Sequence, residues 1–599
     1  MFYVSHLTLK NFRRLNDVSI PLKPHCVIIG ENNAGKTSVL DLLDIALNPT
    51  RRSFFLGDND ISHGSPSDAR IEATIEIRPM PGPVFGTAER AAFDPHIDVL
   101  PGGGERLLIK LERFQDEEDG SYRTQMRFHK SDGADDGPVR LGFRRNTPLF
   151  MIPALRNAAR DLMSKGGTWG RILGGVELDA AKKEEVKKLA RSIADQVMQL
   201  VLGNERFSQT TAQFSELLQS VLWAEQTDGE LAFSALPSDQ RDFLQAMQIL
   251  IRNPGDIESV GVLAHGDGTQ SIAVVALMLA YASAMGYPNA ALAVEEPESH
   301  LHPHATRSLV RYLWNRPQQV IITTHSTHVT DVVSPDQVVV LKRRGPRTAV
   351  CQIPEKYFTD QELRQLGRQI HSCGSEFFFA RCVLLTEGPT ETVALPVFAK
   401  ALKINLDQLG VSILCVSGQN FRPFVRLFQQ QALDTPCLIM CDNDDVATTT
   451  ANLLSDLGII GFKVDKATIE GKRADLEKAG LFFLPKGDFE KYIMSEDHVA
   501  AYTHSIAQVY GATRLDSYVK ARTASDAAYS KKARDVQIVD FIKSEGGKPE
   551  LAFEAASFIT KDGKDASKIP SYFERVLRAI EALARRQATV TNGDSKKGA

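Results

Sequence analysis

The chain has 599 residues, of which 43% are hydrophobic and 24% charged, with a formal net charge of −4. The length predicts about three or four domains. The composition is ordinary for a soluble globular protein, so the cores do not require disulfide bonds or a structural metal ion for stability. The charge excludes a uniformly basic surface but leaves room for a basic stripe that binds nucleic acid. Scattered cysteines in apolar runs indicate reduced thiols in the cytoplasm, and neither a membrane-spanning run nor a signal peptide is present, so we expect no membrane association.

A P-loop is the first chemical motif along the chain. The apolar run 26–29 predicts a buried strand, residues 30–37 spell Gly-x4-Gly-Lys-Thr, and a helical pattern follows. The glycines let backbone N–H groups surround a phosphate chain, the lysine reaches the β- and γ-phosphates, and the threonine holds Mg2+. The residues predicted to bind the nucleotide here are Asn32, Gly35, Lys36, Thr37 and Ser38.

Strands and helices alternate in blocks around this motif. Alternating side chains predict an antiparallel strand pair over 1–20 and further strands near 70–77, 106–114, 122–128 and 150–153. Residues 157–250 change to a helical pattern that does not sustain heptads. An oligomerisation face and a plain helical subdomain are both consistent with this pattern.

Two more strands of this first α/β unit end in chemically useful residues. Glu295 and Glu296 end a buried strand, where the first would orient the Mg2+ shell and the second would polarise an attacking water. His325 follows the next strand and would contact a γ-phosphate. A glycine-rich turn that contains Gly266, Gly268 and Gln270 precedes a long apolar helix.

The second α/β unit, which begins near residue 382, has acidic residues after several of its predicted strands. Because parallel strands end at the same edge of a sheet, these acids are expected to surround one pocket. Carboxylates without His or Cys suit Mg2+ or Mn2+, and several of them suit two ions that flank a scissile phosphate. The acids are Glu387, Glu391, Asp442, Asp444 and Glu490.

The first group of motifs resembles an ABC-type ATPase head of the SMC-like kind. In that family the glycine-rich signature of one subunit completes the ATP site of its partner, so the resemblance implies a homodimer. Two departures affect ATP hydrolysis and head closure more than nucleotide binding. The first acid is Glu295 rather than Asp, and the turn at residues 266–270 lacks the usual Leu-Ser opening.

The second group of motifs resembles a Toprim domain. An ABC head followed by a Toprim domain is similar to the OLD (overcoming lysogenization defect) family of nucleases, most of all to class 2 members such as the nuclease subunit of Gabija-type anti-phage systems. The resemblance implies that the five acids bind metal, that Ser417 lies near them, and that a lysine stabilises charge on the phosphate. Lys548 is the first candidate for that lysine and Lys561 is the reserve.

The expected activity is metal-dependent DNA cleavage or nicking by the Toprim site, with catalytic roles for Glu387, Asp442, Asp444 and Lys548, and ATP hydrolysis assisted by Glu296. The expected cofactors are ATP and Mg2+, with Mn2+ or Ca2+ as alternatives at the Toprim site. The expected partners are DNA, a second copy of the chain and a UvrD-like helicase. An ATP-dependent DNA clamp with an inactive Toprim domain is the alternative. A primase or topoisomerase relative is disfavoured because no DNA-gate domain or presented tyrosine is found.

The predicted fold is α/β, with an ABC-type P-loop domain interrupted by a helical insertion and followed by a parallel Toprim domain with a helical C-terminal part. The predicted boundaries are 1–156 and 256–370 for the ATPase, 157–255 for an insertion that dimerises, 380–590 for the Toprim domain and 591–599 for a disordered tail.

Overall fold

The computed structural model describes most of the chain. The described residues are 1–154, single positions between 182 and 196, residues 250–251, and residues 260–592. Within the first range positions 52, 63, 64, 67, 81, 117, 132 and 134 are excluded, and within the last range positions 288, 346 and 419 are excluded. The predicted helical insertion and its dimerisation face therefore lie almost entirely outside the described residues, as does the predicted tail apart from residues 591–592.

An antiparallel sheet dominates the N-terminal region. In spatial order its strands are β2 (Val18–Pro21), β1 (Phe2–Lys10), β4 (Ile71–Pro79), β6 (Glu105–Gln115), β7 (Tyr122–His129) and β8 (Asp135–Pro138), while β5 (Asp98–Val99) pairs with β6. Side chains of β4 alternate between buried and half-buried, because one face covers the core and the other meets solvent. Helix α2 (Thr87–Phe93) follows β4.

A second sheet carries the P-loop strand at its centre. Its spatial order is β15 (Arg347–Gln352), β14 (Val338–Arg344), β3 (His25–Gly30), β13 (Val320–Thr324), β12 (Ala291–Glu295) and β9 (Leu149–Ile152). Strands β14, β3, β13 and β12 are parallel. Continuous apolar runs form these central strands because both faces of a parallel sheet are covered. The accompanying helices are α1 (Lys36–Leu47), α4 (Pro303–Trp314) and α5 (Thr327–Thr330).

The chain separates into two compact units. The first contains both sheets described above and everything from Pro303 onward, and the second comprises Ile152–Ala290 and Pro297–His302. Within the described part of the second unit, β10 (Leu250–Ile251) pairs with β11 (Val260–Gly261), and a long helix, α3 (Asp267–Ala284), follows the predicted glycine-rich turn.

A four-stranded parallel sheet forms the predicted Toprim domain. Its spatial order is β17 (Val411–Cys415), β16 (Cys382–Thr386), β18 (Cys437–Cys441) and β19 (Leu481–Phe483). The surrounding helices are α6 (Asp360–Cys373), α7 (Pro389–Ala401), α8 (Leu406–Leu409), α9 (Arg422–Phe428), α10 (Asp445–Asp456) and α11 (Arg473–Lys478).

The C-terminal part is helical, as predicted. Its helices are α12 (Phe489–Ile493), α13 (Val499–Tyr510), α14 (Arg514–Ser525), α15 (Arg534–Glu545), α16 (Lys548–Thr560) and α17 (Ser571–Asn592). They share one apolar core with the Toprim sheet, in which the rings of Phe398 and Phe573 stack at 5.3 Å. The predicted α/β fold class is thereby confirmed. None of the described helices is long and apolar enough to cross a membrane.

Candidate functional sites

The P-loop joins β3 to α1 through glycines that no other residue could replace. A Cβ on Gly30 would lie 2.2 Å from the Leu341 carbonyl oxygen, and Gly35 has a φ of +102°. Lys36 is buried, and its Nζ donates hydrogen bonds to the carbonyls of Gly30 at 2.9 Å and Glu31 at 3.1 Å. The lysine is thus held within the loop whose amides are suited to a phosphate chain.

The remaining predicted P-loop residues differ in exposure. Asn32 is exposed on the loop, whereas Ser38 is buried in the first turn of α1. Thr37 is exposed, and its hydroxyl bonds to the Glu295 carboxylate, although the two residues lie far apart in sequence. A hydroxyl and a carboxylate at the edge of the P-loop are the ligands that Mg2+ uses in nucleotide sites.

Glu296 and His325 lie at the same edge of the sheet. Glu296 adopts a φ of +45° directly after β12, and its backbone N–H donates to the Thr323 carbonyl at 2.8 Å. The His325 Nε2 lies 4.0 Å from the Glu296 Oε1. The fold therefore brings together the acid and the histidine that the sequence predicts for the γ-phosphate region.

The predicted signature residues lie at the start of α3 in the second unit. Gly266 is the residue that precedes the helix, and Gly268 is in its first turn. Gln270 is buried, and its side-chain amide donates to the His265 carbonyl at 2.8 Å and the Leu263 carbonyl at 3.3 Å. These bonds stabilise the turn, while the predicted role in a partner's ATP site stays a prediction.

The Toprim acids follow successive strands of a parallel sheet, so they meet at one edge. Glu387 follows β16, Asp442 follows β18, and Glu490 lies in α12 after β19. The Glu387 Oε2 accepts a hydrogen bond from the Asp442 backbone N–H at 3.2 Å. Glu391, in the first turn of α7, and Glu490 are each only 4% exposed. This degree of burial is costly for carboxylates unless a positive charge compensates them.

Lys548 supplies part of that positive charge. Its Nζ lies 3.3 Å from the Glu490 Oε2. Burial alone would lower the pKa of Lys548, but Glu490, Asp488 and Asp442 raise it, so this lysine is charged. The reserve candidate Lys561 instead pairs with Asp565 at 2.7 Å and is largely exposed. Of the two predicted lysines, the fold places Lys548 against the acids.

The positive charge of Lys548 does not balance the negative charge of the five carboxylates. Burial, followed by repulsion from its acidic neighbours, raises the pKa of Glu391 to about 8 and that of Asp442 to about 7. Burial also raises the pKa of Glu387. One buried oxygen each of Glu391, Asp442 and Glu490 has no hydrogen-bond partner among the described residues. Unpartnered, mutually repelling carboxylate oxygens fit a hard divalent cation.

The carboxylates do not form a closed cage. Among the described residues, no three His, Cys, Asp or Glu side chains are grouped closely enough to hold a metal ion. The fit to a cation therefore depends on the donor chemistry and on the unpartnered oxygens.

Asp444 and Asp488 each cap a helix at this edge. The Asp444 Oδ1 accepts from the Val446 N–H at 2.8 Å, and the Asp488 Oδ1 accepts from the Lys491 N–H at 3.0 Å. Asp488 was not predicted as a site residue, yet it acts electrostatically on Asp442 and Lys548. The sequence feature that could have identified Asp488 is its position after a strand and two residues before Glu490.

Ser417 lies beside the acids, as the resemblance implied. It has a φ of +53°, and the next N–H, that of Gly418, donates to the Glu387 carbonyl at 3.0 Å. The Ser417 hydroxyl accepts a hydrogen bond at 3.1 Å from Gln369, a residue that sequence reasoning did not select.

Comparisons with known families agree with the two kinds of domain. A profile described as the overcoming lysogenization defect protein-like TOPRIM domain matches residues 378–444. A profile for an AAA domain of the putative AbiEii toxin, type IV TA system, matches residues 179–331, and an AAA ATPase domain profile matches 2–80.

Curated relatives cover most of the chain at low identity. An OLD nuclease of Thermus scotoductus is 26% identical over 74% of this chain and 82% of its own length. Endonuclease GajA of Bacillus cereus is 22% identical over 74% of this chain and 75% of its own. The solved C-terminal region of the Burkholderia pseudomallei OLD protein is 23% identical, with a TM-score of 0.29 over 34% of this chain and 99% of that one.

Fold and sites thus define a P-loop ATPase domain joined to a Toprim domain. Together with the matches, they show an OLD-like TOPRIM domain and AAA ATPase domains in a chain that is similar to the OLD nuclease of Thermus scotoductus. The resemblance predicted from the sequence is confirmed.

Proposed function

We propose that this protein is a metal-dependent DNA endonuclease or nickase whose ATPase domain regulates cleavage. The observation that carries the proposal is the set of buried, unpartnered oxygens of Glu391, Asp442 and Glu490 beside the Lys548 ammonium. The names of the OLD nuclease and endonuclease GajA relatives support DNA as the substrate.

The chain's own residues have separate roles in this proposal. Glu387, Glu391, Asp442, Asp444 and Glu490 would hold Mg2+ or Mn2+, with Ca2+ as a further candidate. Such ions supply charge neutralisation for the phosphate and lower the pKa of a bound water. Lys548 places a fixed positive charge where negative charge develops on the phosphate during cleavage. At the ATP site, Thr37 and Glu295 would hold Mg2+, and Glu296 would orient the water that attacks the γ-phosphate.

The assembly belongs to the same proposal. Completion of the ATP site by residues 266–270 of a second copy requires a homodimer, formed through the ATPase heads and the helical insertion. The resemblance of the motifs to Gabija-type nuclease subunits is the basis for including in this proposal a role in anti-phage defence, a UvrD-like helicase as partner and a cytoplasmic location.

Plasmid cleavage with Mg2+ or Mn2+, followed by chelation, tests the proposed function. Glu387→Gln and Asp442→Asn keep side-chain volume but remove charge, and each is expected to abolish nicking. Asp456→Asn is the matched control, because Asp456 ends α10 and pairs with Lys463 at 2.9 Å on the surface. Metal-dependent nicking that survives in both site variants would refute the proposed site. The absence of nicking by the wild type with either metal, with and without ATP, would favour an ATP-dependent DNA clamp.

A further inference from the structure

Helix α6 connects the ATPase and Toprim halves of the first unit. Its N-terminus is closed by a capping box in which Thr359 and Glu362 exchange hydrogen bonds, and its Leu366 and Ile370 side chains are buried. At 1.5 Å per residue, the helix spans about 20 Å. A capped helix with an anchored apolar face moves as a rigid body, so its end contacts decide what it connects.

The C-terminal end of α6 is fastened to the nucleotide-binding domain through Ser375. This serine is fully buried, and its Oγ donates to the Thr327 carbonyl at 3.1 Å and lies 2.6 Å from the Thr330 hydroxyl. Its backbone N–H donates to the Asp331 carboxylate at 3.1 Å. The position of Ser375 is therefore tied by hydrogen bonds to that of the short helix α5.

Helix α5 follows directly from the predicted γ-phosphate contact. His325 directly follows β13, and Thr324 of that strand lies next to Ile29 of the P-loop strand in the sheet register. Ser326 then caps α5 by accepting a hydrogen bond from the His328 N–H at 3.2 Å. Only Ser326 separates His325 from the first residue of α5.

The other contacts of α6 reach the Toprim domain. The Gln369 side-chain amide donates to the Cys415 carbonyl at 2.7 Å and to the Ser417 Oγ at 3.1 Å. Near the N-terminus of the helix, Glu362 pairs with Arg426 at 2.7 Å. The helix thus contacts the loop beside the Toprim acids through Gln369, and Ser375, two residues beyond its C-terminal end, contacts α5.

The loop held by Gln369 in turn holds Glu387. Ser417 has a φ of +53°, a conformation that a non-glycine residue keeps only when its surroundings support it. The Gly418 N–H donates to the Glu387 carbonyl at 3.0 Å, and the Val416 N–H donates to the Thr386 carbonyl at 2.9 Å. A shift of the loop therefore moves the backbone that carries the first carboxylate.

We propose that α6 couples the nucleotide site to the nuclease site, with Gln369 as the positioning residue that sets the Ser417 loop and thereby Glu387. The inference rests on the proposed nuclease function, and it adds the element through which nucleotide regulates that site. Because coupling between two sites is reciprocal, a metal ion bound by the acids also changes nucleotide affinity.

The activity test compares cleavage rates with and without a non-hydrolysable ATP analogue. In the wild type the two rates are expected to differ by about fivefold or more, the usual lower range of allosteric coupling. Gln369→Leu removes both donated hydrogen bonds and is expected to bring the ratio of the two cleavage rates to within about twofold of one, while nucleotide affinity measured without metal is unchanged. Gln361→Leu, the same substitution at an exposed position of α6, is the matched control.

A second readout does not depend on cleavage. Hydrogen exchange of a peptide covering residues 415–421 is expected to change when the analogue binds to the wild type. The change is expected to disappear in Gln369→Leu and in Ser375→Ala, which breaks the other end of the connection, while the P-loop peptide stays protected by nucleotide in both. Gln369→Asn, which keeps a shorter amide, should restore part of the response.

The outcomes separate this inference from the proposed function. Absence of cleavage by the wild type, with a normal exchange response, would overturn the nuclease assignment and leave the coupling standing. If hydrogen exchange of the wild-type peptide 415–421 does not change when the ATP analogue binds, the proposed coupling is wrong. A full nucleotide response in Gln369→Leu would also overturn it.

Discussion

Replacement of Glu391 by glutamine is expected to stabilise the metal-free protein. The Glu391 carboxyl is 4% exposed, has an unpartnered oxygen and is surrounded by Asp442, Glu490 and Glu387. Burial and these neighbours raise its pKa from 4.5 to about 8. At neutral pH the folded protein must therefore either bind a proton there or tolerate a buried charge, whereas glutamine has nearly the same shape and no charge.

The magnitude follows from the linkage between proton binding and folding. At about 1.4 kcal/mol per pKa unit, the shift costs at most roughly 4 kcal/mol near pH 7.5. Relaxation of the acids and entry of water reduce such penalties, so we expect the variant to gain about 2 kcal/mol, or roughly 2 °C in the melting temperature of a unit of about 450 residues. Near pH 5 the wild-type carboxyl is protonated at little cost, and the gain should fall below about 1 kcal/mol.

Differential scanning calorimetry in the presence of a chelator measures this effect. The variant transition should move upward near neutral pH, and added Mg2+ or Mn2+ should stabilise the wild type more than the variant. Glu574→Gln, at a half-exposed carboxylate that pairs with Arg578, is the matched control and should leave the transition in place. A Glu391→Gln protein that melts at or below the wild-type temperature in chelator near pH 7.5 would refute the argument.

Three further predictions concern the two sites. Lys36→Ala removes the ammonium that lies within the P-loop, so ATP turnover should vanish in a phosphate-release assay while some metal-dependent DNA cleavage remains. Loss of all cleavage by a folded variant would contradict the separation of the two sites. Lys548→Met should lower the cleavage rate by about a hundredfold or more with DNA affinity nearly unchanged, whereas Lys561→Met should cleave at close to the wild-type rate. A larger loss of cleavage rate in Lys561→Met than in Lys548→Met would contradict the assignment of Lys548. Without metal, the free energy of unfolding should fall as pH rises from about 5 to 8, because folded Glu391 and Asp442 retain protons that the unfolded chain has released. Urea titrations across that range check this, and stability that rises with pH would contradict it.

The motifs with short-range physical causes were predictable from the sequence. The P-loop could be located because strand, glycine turn and helix are continuous, and the structure places Gly30 where any Cβ would meet the Leu341 carbonyl. The parallel strands could be recognised because their side chains are buried on both faces and form continuous apolar runs. The acids could be selected because they directly follow such runs.

The connection between the sites was not predictable in this way. Gln369 lies in a polar helical segment, and nothing in its neighbourhood indicates that its amide reaches the Cys415 carbonyl across the domain boundary. Asp488 was not selected as a site residue either, and its effect on Asp442 and Lys548 depends on the packing of separate elements. Contacts between elements distant in sequence depend on packing that no local pattern encodes.

The sequence by itself determined which residues are candidates for the two sites, since phosphate binding and metal binding each require particular residue types at short spacing. Only the tertiary structure decided how their parts combine. The spatial order β17, β16, β18, β19 brings Glu387, Asp442 and Glu490 to one edge, and the start of α16 places Lys548, rather than Lys561, against Glu490. The physical reason is that strand order and helix docking are set by burial of the shared apolar core, a sum over many distant side chains.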